Sequence, residues 1–359
     1  MTHRLAFLLI VLFLAISPGC EEPIDLSKLP QPDTFVLDTS YVRFDPPFAG
    51  FVGAEDIMVG NDQLLYVADT RANRVVMMNR AGMILSEKSI LQPLALAQDT
   101  RLDLLVGGVI VAANGDTAGA IFRVHLVSAS PDSAHRLGVS RMDTVWVELA
   151  HAQRRFPGLT AFGDNYYLAV RVGPDNSSFI DPDSRILLFD ANDRFITPIP
   201  ALNTRSGSGI TDVNRPTAIA SFPGVRDFVL TQLSEGVAYG AIWMRYERSS
   251  DFEGWLPKFD PADPEDLFVD FIRPGRYLAP QAVAIDKARR DVFIADAGLD
   301  SIFKFTSRGV FKAESFGRIR SGGLMRRPTG LAFFEQVLYI LDGETGMILR
   351  YRLSTDVPR

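Results

Sequence analysis

Beyond the first twenty residues the chain has no long stretch with apolar positions every three or four residues, the period of an amphipathic helix. Short apolar runs alternate instead with clusters of Gly, Asp, Asn and Pro. That pattern predicts many short strands joined by tight turns, and hence an all-β protein. The runs are also self-similar. One unit reads Glu55–Val59, Leu64–Asp69 and Arg74–Asn79. It returns as Pro280–Asp286, Asp291–Asp296 and Ser301–Phe305, and again as Pro328–Phe333, Val337–Asp342 and Met347–Tyr351. Weaker copies start at Pro93, Pro157 and Pro216, which makes six units.

A repeat built of one small sheet cannot bury both of its faces alone, so units of this kind stack and the ring closes. The first strands carry small residues such as Ala95, Ala97, Ala161, Ala218, Ala282 and Gly330, as crowding at a central axis requires. Second and third strands carry Leu, Ile, Val, Phe and Tyr, which fill the space between neighbours. The last unit has no fourth strand after Tyr351–Leu353. Two apolar segments, Thr34–Leu37 and Tyr41–Phe44, precede the first unit, and either can pair with the last one and remove its open edge.

These units resemble the NHL repeat, through the Pro-x-small-apolar first strand, the Ala-Asp or Leu-Asp end of the second and the Arg-Val-Val-Met third strand. The resemblance implies a six-bladed β-propeller (NHL/TolB-like) of four-stranded antiparallel blades over residues 34–359, closed by an N-terminal strand. The first unit departs from it, with Glu55 where later units have proline. The extra length of the middle units falls in residues 107–119, 125–156, 171–184, 201–215, 231–240 and 247–279, and fourth strands are expected within Thr144–Leu149 and Leu267–Ile272.

The N-terminus has a basic start at Arg4, an apolar run over Leu5–Ile16, and Ser17, Pro18, Gly19 and Cys20. That run is too short to cross a bilayer core of about 30 Å, so residues 1–19 read as a signal peptide. Cys20 is the only cysteine. Its place resembles the lipobox of bacterial lipoproteins, whose cysteine becomes the lipidated first residue, although Ser17 stands where Leu is usual. Residues 20–33 read as a tether containing Pro23, Pro30 and Pro32. The expected address is the bacterial cell envelope, with a monomer held at a membrane by lipid. A net charge of −6 without a basic stretch argues against nucleic acid, and one cysteine excludes an intrachain disulfide.

Candidate chemistry is sparse. Asp69, Asp296 and Asp342 end second strands and are expected to cap turns by accepting backbone N–H bonds. Asp175, Asp181 and Asp183 share one loop whose oxygens could hold Ca²⁺, without the spacing of an EF-hand. Phe252, Trp255 and Phe259 are expected to face a carbohydrate or protein from an insertion. Resemblance to the gluconolactonase-like propellers puts Glu55 at the place of one of three axial cation ligands. The later starts Thr217, Gln281 and Thr329 supply no second carboxylate or Asn there. No nucleophile elbow, phosphate loop or dinucleotide fingerprint is present. The leading expectation is a non-enzymatic binding or scaffold module for a protein, peptide or glycan, without a cofactor. The alternative is a metal-dependent hydrolase or lyase working in the axial pocket.

If Cys20 carries the anchor, Cys20→Ser moves the protein from the membrane fraction to the soluble fraction of fractionated cells. Unchanged membrane association refutes lipidation as the anchor.

Overall fold

In the computed structural model, which describes residues 39–113, 115–127, 135–203, 209–233, 238–317 and 325–356, the strands pair into six four-stranded antiparallel sheets. Cys20, the signal segment, the tether and Thr34–Leu37 lie outside the described residues. Helix among the described residues is limited to single 3-10 turns at Leu137–Val139, Asp270–Ile272 and Ser354–Asp356. The sheets are the blades of a propeller. Their inner strands are Asp56–Val59, Leu91–Gln98, Arg155–Ala161, Pro216–Ser221, Pro280–Ile285 and Pro328–Phe334, blades 1 to 6 in chain order.

The hydrophobic core is divided. Six clusters of buried side chains each join two successive blades, the last joining blade 6 to blade 1. Second strands therefore pack on both faces and lose the alternation of a half-exposed strand. Leu65–Asp69, Phe228–Gln232 and Val292–Asp296 are buried at every position. Inner strands need small residues because the next blade is close. A Cβ on Gly158 would stand 3.2 Å from the Ala218 backbone of blade 4 and 2.9 Å from Val170.

The ring closes as the sequence predicts. Tyr41–Arg43 forms the outermost strand of blade 6 against Met347–Leu353, with Tyr41 opposite Leu353 and Arg43 opposite Tyr351. The Tyr41 ring then stacks on Phe316 of blade 5 at 5.4 Å and meets Phe293 edge-on at 6.0 Å. This strand both supplies the missing edge and seals the last joint.

A recurrent device fixes the inner strands of most blades. Asp296, at the end of the second strand of blade 5, is fully buried. It accepts N–H bonds from Leu278 (2.7 Å) and Ala279 (3.0 Å) ahead of the inner strand, and from Gly298 and Leu299 in the following turn. Asp342 does the same for Arg326, Glu344 and Thr345. Asp69 binds the N–H groups of Val52 and Gly53 and pairs with Arg74. The sequence-predicted capping role is thus met, with a wider reach: the carboxylate ties two separate segments.

The degenerate blades replace this group. Strand register puts Gln232, Arg171 and Gly108 at the corresponding places of blades 4, 3 and 2. Gln232 accepts from Asn214 N–H and donates to the carbonyls of Asp212 and Tyr239. Arg171 inverts the polarity: it donates to the carbonyls of Asp183 and Pro182 and pairs with Glu148 and Asp181. Gly108 makes no side-chain tie, and its missing Cβ leaves room for the carbonyl of Leu91.

Two expected loops come out differently. The fourth strand of blade 4 is Glu253–Pro257, not a segment of Leu267–Ile272. A tight turn after Ala241–Arg248 lets the chain fold back at once, and the later segment instead buries Phe271 and Ile272 between blades 4 and 5. In blade 2 the strands Leu104–Val111 and Thr117–Val124 run further than expected, so most of the predicted loop 107–119 is β-hairpin.

Asp296→Ala strands four backbone donors, and we expect it to lower unfolding free energy by about 3 kcal/mol or more in urea titrations. Glu265→Ala, on an exposed loop, should leave the midpoint unchanged.

Candidate functional site: the axial channel

Each inner strand is the edge of its sheet, so one side of its backbone has no ladder partner. Six such edges surround the axis and enclose a channel of about 620 Å³. Its wall combines strand-edge backbone with small side chains and a few polar ones, including Thr160, Thr217, Ser221 and Gln281, and some edge groups are bonded across blades, as Thr217 Oγ1 to the Pro280 carbonyl at 2.8 Å. Such a wall suits a polar molecule that exchanges hydrogen bonds with strand edges.

The two mouths differ in charge. At the upper mouth, where the chain leads into each inner strand, Glu55 and Asp56 are the only carboxylates among the described residues that line the channel. Glu55 sits just ahead of the blade 1 inner strand, its N–H bonded to the Ala68 carbonyl at 3.0 Å. Burial pushes its carboxyl above the ordinary range, against the opposing pull of Arg327 and Arg71. Asp56 is the first residue of that strand. One carboxylate oxygen accepts the N–H of Ile57 at 2.8 Å, and the other accepts the N–H of Leu96 in blade 2 at 2.8 Å. Burial raises this carboxyl to about 7, the two N–H bonds limit the rise, and the charge on Glu55 adds to it.

Register identifies Asp56 as the exception in its ring. Asp56 pairs with Ala68, and the matching positions are Ala95, Gly158, Ala218, Ala282 and Gly330 in blades 2 to 6. Five blades place Gly or Ala at this level and one places a carboxylic acid. The sequence reading missed Asp56, although a charged residue in the small-residue register of the first strand was a legible signal.

At the lower mouth the exposed Lys287 donates to Asn61 Oδ1 at 3.3 Å. Asn61 is fixed in turn, because its Nδ2 donates to the Asp99 carbonyl at 3.0 Å and its backbone N–H to Gln98 Oε1 at 2.6 Å. Gln98 donates to Asp62, which also accepts from the Tyr66 hydroxyl at 2.5 Å and lies 3.0 Å from His135 Nε2.

Of the residues expected from sequence to bind a metal or ligand, the channel takes in Glu55 alone. Asp181 and Asp183 lie in the blade 3 loop, paired with Arg154 at 2.8 and 2.6 Å, and Asp181 also with Arg171. Asp175 accepts the N–H of Ser177, and its own N–H goes to Asp183. These oxygens serve arginines and backbone donors, and the fold does not bring them to Glu55. Among the described residues no three His, Cys, Asp or Glu side chains converge as a metal set. The axial three-ligand cation site of the gluconolactonase-like propellers therefore does not fit this donor set, which offers two carboxyls, one of them already holding two backbone N–H groups.

The expected aromatic surface is also absent. Trp255 is 6% exposed, with Nε1 donating to the Arg226 carbonyl at 2.7 Å and its ring against Tyr246. Phe259 is buried against Trp243 and Phe271. Only Phe252, at a turn, is exposed. Large rings next to an unfilled joint between blades gain more from burial than from display.

No family model matches the sequence, and no curated protein matches it. Among solved structures the chain is similar to a gluconolactonase from Xanthomonas campestris, at 12% identity and a TM-score of 0.53 over 88% of this chain and 97% of that one. It is similar to a PQQ-bound aldose sugar dehydrogenase from Streptomyces coelicolor, at 12% identity and a TM-score of 0.57 over 88% and 98%. A luciferin-regenerating enzyme matches at 12% identity and 0.54 over 86% and 95%. At these identities the likeness establishes the fold, a six-bladed propeller with neighbours of the gluconolactonase kind.

The raised carboxyl of Asp56 gives a signed stability effect. Its folded value lies above its unfolded value, so its favourable contribution is complete at pH below about 4 and is lost as pH rises through 7. Asp56→Asn mimics the protonated form. We expect the difference in Tm, variant minus wild type, to become more positive between pH 5 and pH 8, and a constant difference would refute the assignment.

Proposed function

We propose that the axial channel is a substrate site and that the protein is a hydrolase acting on a polar, sugar-sized cyclic ester. The observation that carries this reading is the single carboxylic acid, Asp56, at a register of the channel wall where the other five blades place Gly or Ala. The gluconolactonase among the structural neighbours supports the reaction class. It favours an enzyme over a loop-borne scaffold, and the burial of Trp255 and Phe259 leaves only Phe252 of the three candidate contact aromatics exposed.

The chemistry follows from the local groups. Near neutral pH Asp56 holds both ionised and protonated forms, the condition for proton transfer in either direction. As a base it takes a proton from a water molecule whose oxygen bonds to the ester carbonyl carbon. The ring C–O bond then breaks and the proton passes to the departing alkoxide. In this reading, strand-edge backbone N–H groups stabilise the negative oxygen in between. No step is routed through a metal, because the described side chains supply no three-ligand set. Glu55 orients the substrate and raises the basicity of its neighbour.

We also propose, on the motifs of the repeat and the N-terminus, that this is an NHL-type propeller exported and anchored by Cys20.

The test is a pH-stat assay of the purified domain, residues 40–359, over a panel of sugar lactones. Activity should rise through about pH 7 and fall by about 10²- to 10⁴-fold in Asp56→Asn. Turnover that is unaffected in Asp56→Asn, or a stoichiometric metal that turnover requires, overturns the mechanism.

A further inference from the structure

The inner strands share an irregularity at one level of the channel. In blades 4, 5 and 6 the register skips a residue between Pro216 and Ala218, Pro280 and Ala282, and Pro328 and Gly330. Thr217, Gln281 and Thr329 therefore have no counterpart on the second strand. A bulge of this kind re-aims the extra side chain, and all three residues line the channel. With Glu55, Leu94 and Pro157 from blades 1, 2 and 3 they form a ring one residue, or about 3.3 Å, above the level of Asp56.

That ring has two unlike arcs. Blades 2 and 3 present hydrocarbon, the half-buried Leu94 and Pro157. Thr217 in blade 4 is already committed, with Oγ1 donating to the Pro280 carbonyl at 2.8 Å and lying 2.9 Å from Thr231 Oγ1. Blades 5 and 6 hold polar groups with unused capacity, and Glu55 of blade 1 follows them. The half-buried Gln281 amide makes no hydrogen bond among the described residues. Thr329 is 7% exposed, and its buried Oγ1 has no hydrogen-bond partner.

Below Asp56 the wall adds no free polar side chain before the lower mouth. Thr160 Oγ1 donates to Ser221 Oγ at 2.8 Å, and Ser221 Oγ donates to the Ala161 carbonyl at 3.0 Å. Gln98 donates to Asp62 and accepts the Asn61 N–H. The other side chains of that stretch are Ala, Val, Ile, Leu, Met and Phe. A buried hydroxyl without a partner is costly until a ligand completes it, and a hydrocarbon wall penalises any hydroxyl set against it.

We propose that Gln281 and Thr329 determine specificity, and that the substrate is a lactone polar along one edge only. Its hydroxyl groups meet blades 5 and 6, and a hydrocarbon edge, as in a deoxy sugar, meets Leu94 and Pro157. This rests on the channel being the hydrolase site and narrows the substrate from sugar lactones in general. Gln281 offers a donor and an acceptor, and Thr329 a hydroxyl. Both residues directly precede the counterparts of Asp56, Ala282 and Gly330, so a single sugar-sized ring spans the step from arc to carboxyl.

Steady-state kinetics on three lactones tests this: D-galactonolactone, its deoxy counterpart D-fuconolactone, and γ-butyrolactone, which has no hydroxyl. Wild type should show a kcat/KM for D-fuconolactone about ten- to a hundredfold above that for D-galactonolactone. Gln281→Met and Thr329→Val should each lower the D-fuconolactone value about tenfold and leave γ-butyrolactone unchanged. Thr329→Ser keeps the hydroxyl and should retain most of the wild-type value. Leu94→Asn should abolish the preference for the deoxy sugar. Equal kcat/KM for the two sugar lactones in wild type overturns the hydrocarbon edge while leaving the hydrolase. An equal loss on D-fuconolactone and γ-butyrolactone in Gln281→Met and Thr329→Val, or a loss in Thr329→Ser as large as in Thr329→Val, overturns the recognition role. No turnover of any of the three, or turnover that Asp56→Asn leaves unchanged, removes the hydrolase and the polar arc together.

Discussion

The structure depends on a tie made at the end of the second strand in five of the six blades. A propeller blade must deliver its inner strand to the axis at a fixed height and angle, and the chain arrives there through an irregular connection. In blades 1, 5 and 6 a fully buried aspartate joins the end of that connection to the second strand or its turn, through backbone N–H groups. The geometry is strongly defined because a buried carboxylate without its donors is costly, so the connection has few alternatives. Gln232 makes the same join with an amide, and Arg171 makes it with the opposite charge. The constraint is conserved in place while its chemistry changes.

That change explains the acidic loop of blade 3. Once the tie is an arginine, its partners must be carbonyls and carboxylates, and Arg154 adds a second guanidinium to satisfy. Asp181, Asp183 and Glu148 answer the two arginines together. Carboxylate density in a loop is therefore the signature of an inverted clamp here. Sequence reasoning saw the acids and not the bases because Arg154 lies 29 residues before Asp183 and on the other side of two strands.

The architecture was legible because a repeat repeats its constraints. Six first strands, their small residues and the missing outer strand are all local patterns, and Tyr41–Arg43 fills the gap they leave. Features that depend on a partner far along the chain were not legible. Trp255 reads as a loop aromatic until the strand Glu253–Pro257 folds back on Ala241–Arg248 and turns it toward Phe162 and Phe228. Glu55 was found because it replaces a proline in a visible motif. Asp56 beside it was passed over, since only strand register shows that its equivalents are Ala95, Gly158, Ala218, Ala282 and Gly330.

Asp56 and the ties bear on each other. A carboxylic acid at the crowded level of the ring is a local violation of the rule its five counterparts obey, and burial makes the charged form unfavourable. The fold holds it by lending the N–H of Leu96 from the next inner strand, a donor that the open edge of blade 2 leaves free. That bond spans two blades, so its geometry is only as firm as their relative position. The blade 1 side of that position is fixed from outside the channel, by Asp69 gripping Val52 and Gly53 just ahead of Glu55. The carboxylate that stabilises the connection and the carboxyl that faces the channel are thus two ends of one short segment, and the rigidity of the first is what makes the exposure of the second to substrate compatible with a closed ring.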